Sequence, residues 1–225
     1  MWRMARLVLI ASPFTGASGW TPVAELLSAA LAVDYGGVRG PDWYAGAARR
    51  IVAQADGRPW IAVLHSGAGG FAPSLAQASP DLVGLVFADA ILPHPGRSVL
   101  ENAPPEFAQR LRERTTEGRL APWNQWFDED PTLRMIPDPE ARGAFLRDLP
   151  RTPFDFLEAV APAGAEWEAL PRGYLQFSRA YDGACARAQA MGWPVRRERL
   201  HHLAMLSEPA RVAEMLQDLV RDLGL

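Results

Sequence analysis

Three short apolar runs separated by helix-patterned segments constrain this chain most: residues 6–11 (RLVLIA), 60–64 (WIAVL) and 82–88 (LVGLVFA). Apolar side chains occupy nearly every position in each run, so both faces must be buried, as in strands of a parallel sheet. The intervening segments carry a helical period instead. Residues 20–31 place Val23, Leu26, Leu27 and Leu31 on one face, 41–55 open with Pro41 in a favourable first turn, and 67–78 form a small-residue helix. Residues 32–35 are expected as a further short strand. Such alternation builds a mostly parallel central sheet with helices on both faces, an α/β fold.

Beyond Pro93 the pattern changes. Residues 95–170 are rich in Pro, Arg, Glu and Trp and contain no convincing buried strand, with helices expected at 106–114, 139–146 and 154–160. Alternation resumes with strands at 174–177 and 194–200 and a helix at 180–191. A last helix over 209–223 aligns Val212, Met215, Leu216 and Leu219. The expected organisation is one structural domain, with an α/β core of residues 1–94 and 171–225 and a helical insertion, a candidate lid, at 95–170.

Composition removes several classes of function. With 225 residues, 48% hydrophobic and 22% charged, the chain suits one α/β domain rather than a disordered polymer. A net charge of −3 supplies no basic field for nucleic acid. All 23 basic residues are arginine, which excludes a Schiff-base lysine and a P-loop lysine. One cysteine, Cys185, excludes an internal disulfide framework and the usual multi-cysteine zinc sites. No apolar stretch approaches a membrane span, and residues 7–11 are too few for a signal-peptide core, so a cytoplasmic protein is expected. Nothing calls for a metal or a cofactor. The expected partner is a small-molecule substrate, with neither nucleic acid nor membrane, and a homodimer is allowed.

The most informative segment is IAVLHSGAGG. A buried strand runs directly into His65-Ser66-Gly67-Ala68-Gly69-Gly70 and a helix of small residues follows. A serine on such a turn projects its hydroxyl above the carboxyl edge of the sheet, where the free N–H groups of the next helix can meet an oxyanion. The competing reading of a glycine-rich turn is a nucleotide cradle. HSGAGG has no P-loop lysine and does not make Gly-x-Gly-x-x-Gly.

HSGAGG resembles the nucleophile elbow of the α/β-hydrolases, usually Gly-x-Ser-x-Gly, with Leu64 and Ala68 standing where that family has glycines. The resemblance implies Ser66 as nucleophile, an acid later in the chain, and a histidine after the last strand. His201 and His202 occupy that place. HLAMLSEP is similar to the family's closing pattern of His followed by Leu-Ser-x-Pro, and the spacing to Leu206, Ser207 and Pro209 selects His202, with His201 as the neighbouring alternative. For the acid, the resemblance favours Asp182, in the loop after strand 174–177, although Asp182 could instead cap the helix that follows. The alternative acid is Asp89, at the end of strand 82–88. Ser12-Pro13-Phe14-Thr15-Gly16 resembles the family's His-Gly-x-Pro-Gly loop, which implies an oxyanion hole made by the backbone N–H groups of Phe14 and Gly67. These elements occur in the family's order and cover most of the chain outside 95–170.

The insertion holds Trp123, Trp126, Phe127, Phe154, Phe156 and Trp167. The first four are expected to bind substrate if they face the pocket, and to fasten the insertion to the core if they do not. The resemblance thus implies an esterase-like or lactonase-like serine hydrolase acting on a small, largely apolar carbonyl compound. Lyase, cyclase or transferase chemistry on a biosynthetic intermediate, or a ligand-binding protein with little turnover, stays open because one fold hosts many chemistries.

Overall fold

A computed structural model describes residues 5–38, 40 and 42–225. Its centre is a six-stranded sheet, in the order β2-β1-β3-β4-β7-β8, with every pair parallel. In chain order the core begins with β1 (Arg6–Ile10), α1 (Thr21–Leu26), β2 (Ala30–Val33), α2 (Trp43–Gln54), β3 (Trp60–His65), α3 (Ala72–Ala78) and β4 (Leu82–Ala88). Next come α4 (Val99–Asn102), α5 (Pro105–Glu113), the strand pair β5 (Thr115–Thr116) and β6 (Arg119–Leu120), α6 (Thr132–Met135), α7 (Pro139–Asp148) and α8 (Asp155–Glu158). The core closes with β7 (Arg172–Gln176), α9 (Asp182–Ala190), β8 (Val195–Arg197), α10 (Ala204–Ser207) and α11 (Pro209–Asp222).

All six residues of β3 are buried. Because successive strand side chains point to opposite faces, both faces of the sheet are covered there. One group of helices joins α1 to α10 and α11, and another joins α2 to α3. The register Leu7–Ile61–Gly84 and Leu9–Val63–Val86 runs straight across β1, β3 and β4. The carboxyl ends of these strands therefore come out side by side, where sites form in open α/β sheets.

Several elements differ from the sequence expectation. The first helix ends at Leu26 rather than at 31, because Leu27 is extended and residues 30–33 pair with β1. Edge strand β2 is mostly half-buried, so Ala30 to Ala32 carry little of the apolar signal that marks β3. The start of the second helix expected at Pro41 lies outside the described residues, and α2 begins at Trp43. Residues 66–71 form a 3-10 turn before α3 instead of one continuous α-helix. Between β4 and β7 the regular elements are five short helices, with two further 3-10 turns, and the β5–β6 hairpin. Its two-residue strands are too short to show a period, and its turn places Glu117 and Gly118 both at positive φ (52° and 69°), the geometry of a tight hairpin. Among the described residues, no helix is long and apolar enough to cross a membrane.

Candidate active site

The site is built where β3 and β4 end. Ser66 has φ +57° and Asp89 has φ +45°. Both lie in the left-handed region that L-residues seldom enter, and such strain persists only where the surroundings impose it. Two contacts impose it here. The Ile91 N–H donates to the Ser66 carbonyl (3.1 Å), and the Tyr174 hydroxyl clamps Ala90, accepting from its N–H (3.1 Å) and donating to its C=O (2.6 Å). Gly69 makes the close approach possible, since a Cβ there would fall 1.8 Å from the Ile91 carbonyl oxygen.

Asp89 is fully buried, and its carboxylate accepts four hydrogen bonds. The Phe177 and Ser178 N–H groups reach Oδ1 (3.0 and 2.9 Å), and the Ser178 hydroxyl and His202 Nδ1 reach Oδ2 (2.6 and 2.7 Å). Burial alone would raise its pKa, but the bonds from His202 and Ser178 outweigh that and hold it below the usual carboxylate value. With Nδ1–H directed at Asp89, the His202 Nε2 is left as the proton acceptor.

The structure thus brings Asp89, and not the preferred Asp182, to the His202 imidazole. Asp182 opens α9 on the surface and accepts from Gln176 Nε2 (2.5 Å) and Arg197 (2.7 Å). The loop after β7, where the acid was expected, supplies N–H donors to Asp89 instead. His201 is also accounted for: its Nδ1 accepts from the Leu203 N–H (3.3 Å) and its Nε2 bonds the Ser207 hydroxyl (2.8 Å), so it ties together the turn that carries its neighbour.

Two aromatic rings flank the His202 imidazole. His65 stacks against it at 4.5 Å between centroids and 30° between planes, and Tyr181 at 5.1 Å and 16°. His65 also donates Nε2–H to the His202 carbonyl (3.0 Å), and burial drives its pKa down to about 3, so it stays neutral. The Ser66 hydroxyl bonds the Tyr181 phenol at 3.0 Å rather than the imidazole. Neither His65 nor Tyr181 was singled out for this role from the sequence. His65 adjoins the serine and offered a weak cue, whereas Tyr181 offered none, being one tyrosine in a surface-like loop.

On the other side of Ser66 lies the loop after β1. A Cβ on Gly67 would come within 3.2–3.3 Å of Phe14, Pro13 and Ser12, which shows how closely this loop is laid on the elbow. Tyr35 and Thr152 hold it by donating to the Ala11 and Pro13 carbonyls, each at 2.7 Å. The Phe14 N–H makes only a long bond, 3.4 Å, to the Ser12 hydroxyl. A cavity of about 350 Å³ opens beside this loop, lined among others by Ser12, Thr15, Tyr35, Arg119 and Thr152, but Ser66 does not line it.

The aromatic residues of the insertion fall into two groups by what they touch. Trp123 lies 6.0 Å from the His202 ring, with Phe127 against it at 5.4 Å. Trp126 packs on Phe14 at 4.8 Å. Among the described residues, no ring contact joins Phe154 to the site, and Phe156 packs on Phe14, Trp43, Tyr44 and Phe71 instead. Trp167 is remote, meeting Phe87 and Trp193 edge to face with the Arg172 guanidinium over its ring. Beneath this cover Ser66 and His202 are only 7% and 9% exposed.

A model of the alpha/beta hydrolase family matches residues 7–215 of the chain. No curated protein matches it in sequence. Among solved structures it is similar to an extracellular alpha/beta-hydrolase from a Paenibacillus species, described as sharing structural and functional homology with tobacco salicylic acid binding protein 2. That match has 20% identity, covers 96% of this chain and 98% of that one, and has a TM-score of 0.74. It is also similar to a pyrethroid hydrolase, at 21% identity, 97% and 98% coverage and a TM-score of 0.71. An enol-lactonase from Burkholderia xenovorans LB400 matches at 17% identity, 97% and 92% coverage and a TM-score of 0.66. At these identities the likeness is one of fold.

Proposed function

The chain belongs to the alpha/beta-hydrolase family, and from that premise we propose that it is a serine hydrolase, esterase-like or lactonase-like, acting on a small and largely apolar carbonyl compound. The observation that carries this reading is the pairing of a strained Ser66 (φ +57°) with a buried His202–Asp89 couple at 2.7 Å. In acylation, Ser66 Oγ attacks the carbonyl carbon while His202 Nε2 takes its proton. Asp89 holds the imidazole tautomer and stabilises the imidazolium. The N–H groups of Gly67 and Phe14 receive the oxyanion, for which Phe14 gives up its long bond to Ser12. The imidazolium then protonates the leaving oxygen as its bond to carbon breaks.

Phe14 against Gly67, Trp126 against Phe14 and Trp123 beside His202 put apolar rings around the Ser66 turn and its base, which supports an apolar acyl or alcohol portion. The segment between β4 and β7 acts as a lid in this reading, since substrate must pass it to reach two residues so little exposed. Structures of the same fold carry the names pyrethroid hydrolase and enol-lactonase, both consistent with cleavage at a carbonyl. Fluorophosphonate labelling tests the proposal. Wild type should be labelled, and Ser66→Ala and His202→Ala should not. A folded wild type that takes no label would overturn the reading and point to non-hydrolytic chemistry or ligand binding.

A further inference from the structure

The hydrolase reading uses Ser66, His202 and Asp89, and leaves unexplained why a tyrosine occupies the centre of the site. Tyr181 follows β7 in a short 3-10 turn, and its hydroxyl lies 3.0 Å from Ser66 Oγ. Its ring is nearly parallel to that of His202. The strand order places it on one particular side of the serine. β1, which carries the oxyanion loop, neighbours β3 on one flank, while β4 and β7, which carry Asp89 and Tyr181, lie on the other. The phenol therefore addresses the nucleophile from the imidazole side, away from the expected oxyanion hole.

Resting on the hydrolase reading, we propose that Tyr181 is a further catalytic residue, whose phenol hydrogen-bonds Ser66 Oγ as that oxygen departs during deacylation. In this step water adds to the acyl carbon and passes a proton to His202 Nε2. When the tetrahedral intermediate collapses, the bond from carbon to Oγ breaks and its electron pair stays on Oγ. The His202 Nε2 proton then moves to Oγ. Tyr181 keeps its own proton throughout, and burial raises its pKa further above the ordinary phenol value.

The contribution is specific to deacylation because only interactions that strengthen on the way to the transition state accelerate a reaction. In the free enzyme Oγ already has the phenol bond, so attack by Oγ gains little from it. In the acyl-enzyme Oγ is an ester oxygen, a poor acceptor. It becomes a good acceptor only as the bond to carbon breaks and charge collects on it. Hydrogen bonds to charged groups contribute enough that losing this one should slow deacylation about 10- to 100-fold.

Tyr181→Phe removes the hydroxyl and keeps the ring stacked on His202. With p-nitrophenyl butyrate, whose leaving group needs no protonation, kcat and KM should fall together by that factor and leave kcat/KM close to wild type. A burst of p-nitrophenol should appear, with butyryl-Ser66 accumulating by mass spectrometry. A structural role for Tyr181 would instead lower kcat/KM. That result, or a Tyr181→Phe variant kinetically identical to wild type, overturns this proposal alone. If wild type releases no p-nitrophenol that Ser66→Ala abolishes, the hydrolase reading fails and this proposal falls with it.

Discussion

At Asp89 and Asp182 the same side chain meets opposite surroundings. Asp89 is sealed from water and saturated by four donors, one of them the imidazole, whereas Asp182 is an exposed carboxylate beside Arg197. Exposed pairs of that kind contribute little, and among the described residues Asp182 bonds Gln176 and Arg197 rather than the imidazole. Asp89→Asn should therefore lower kcat by about 1,000- to 10,000-fold, because an amide NH2 facing Nδ1 favours the wrong tautomer of His202. Asp182→Asn should stay near wild type. Steady-state kinetics on any ester that wild type hydrolyses checks both, and equal losses in the two variants would show that the buried pair does not orient the base. Helix capping and acid function both suit an Asp after a strand, so the sequence held two candidates and no local signal to separate them.

Among the elements, the segment between β4 and β7 has the most to explain, because its aromatic residues suited either a pocket wall or a fastening. Their contacts differ: Trp123 lies beside the His202 ring, whereas Phe156 packs into the core. Phe156 is 1% exposed and meets rings from the loop after β1, α2 and the turn after Ser66, so it fastens the segment to the core. Phe156→Ala should destabilise by about 3–5 kcal/mol in urea unfolding, the usual range for emptying a buried aromatic site. Trp123→Leu keeps apolar bulk beside His202, and should change kcat/KM for aromatic esters more than it changes the unfolding midpoint. The reverse ranking would exchange the two roles. Neither role could be read from spacing, because a short helical turn presents an aromatic ring equally well to a ligand or to a core.

For the molecule as a whole, buried imidazoles link stability to pH. His65 titrates near 6.5 when unfolded but near 3 when folded, because burial and the nearby His202 both disfavour its charge. Between those values the unfolded chain binds a proton that the folded chain refuses, so stability falls as pH drops from 6.5 toward 3 and is unaffected by His65 above that window. His94, also lowered chiefly by burial, adds the same sign. Thermal unfolding from pH 7.5 to 4.5 should show a melting temperature falling with pH, less steeply in His65→Gln. Parallel slopes in the two proteins would remove His65 as a source.

The sequence by itself determined the alternation of strand and helix, the Ser66 turn at the end of β3 and the histidine ahead of the last helix. Each is written in contiguous residues, as an apolar run, a set of small side chains or a fixed spacing, and needs no distant partner to be recognised. Edge strand β2 and the β5–β6 hairpin were not legible because half-buried or two-residue strands carry almost no period. The tertiary structure alone decided which carboxylate meets His202 and what Ser66 touches. Asp89 and His202 are 113 residues apart, and Ser66 and Tyr181 are 115. Those contacts exist because a parallel sheet brings strand ends together in space order, β3 beside β4 beside β7, and that order appears in no local stretch of the chain.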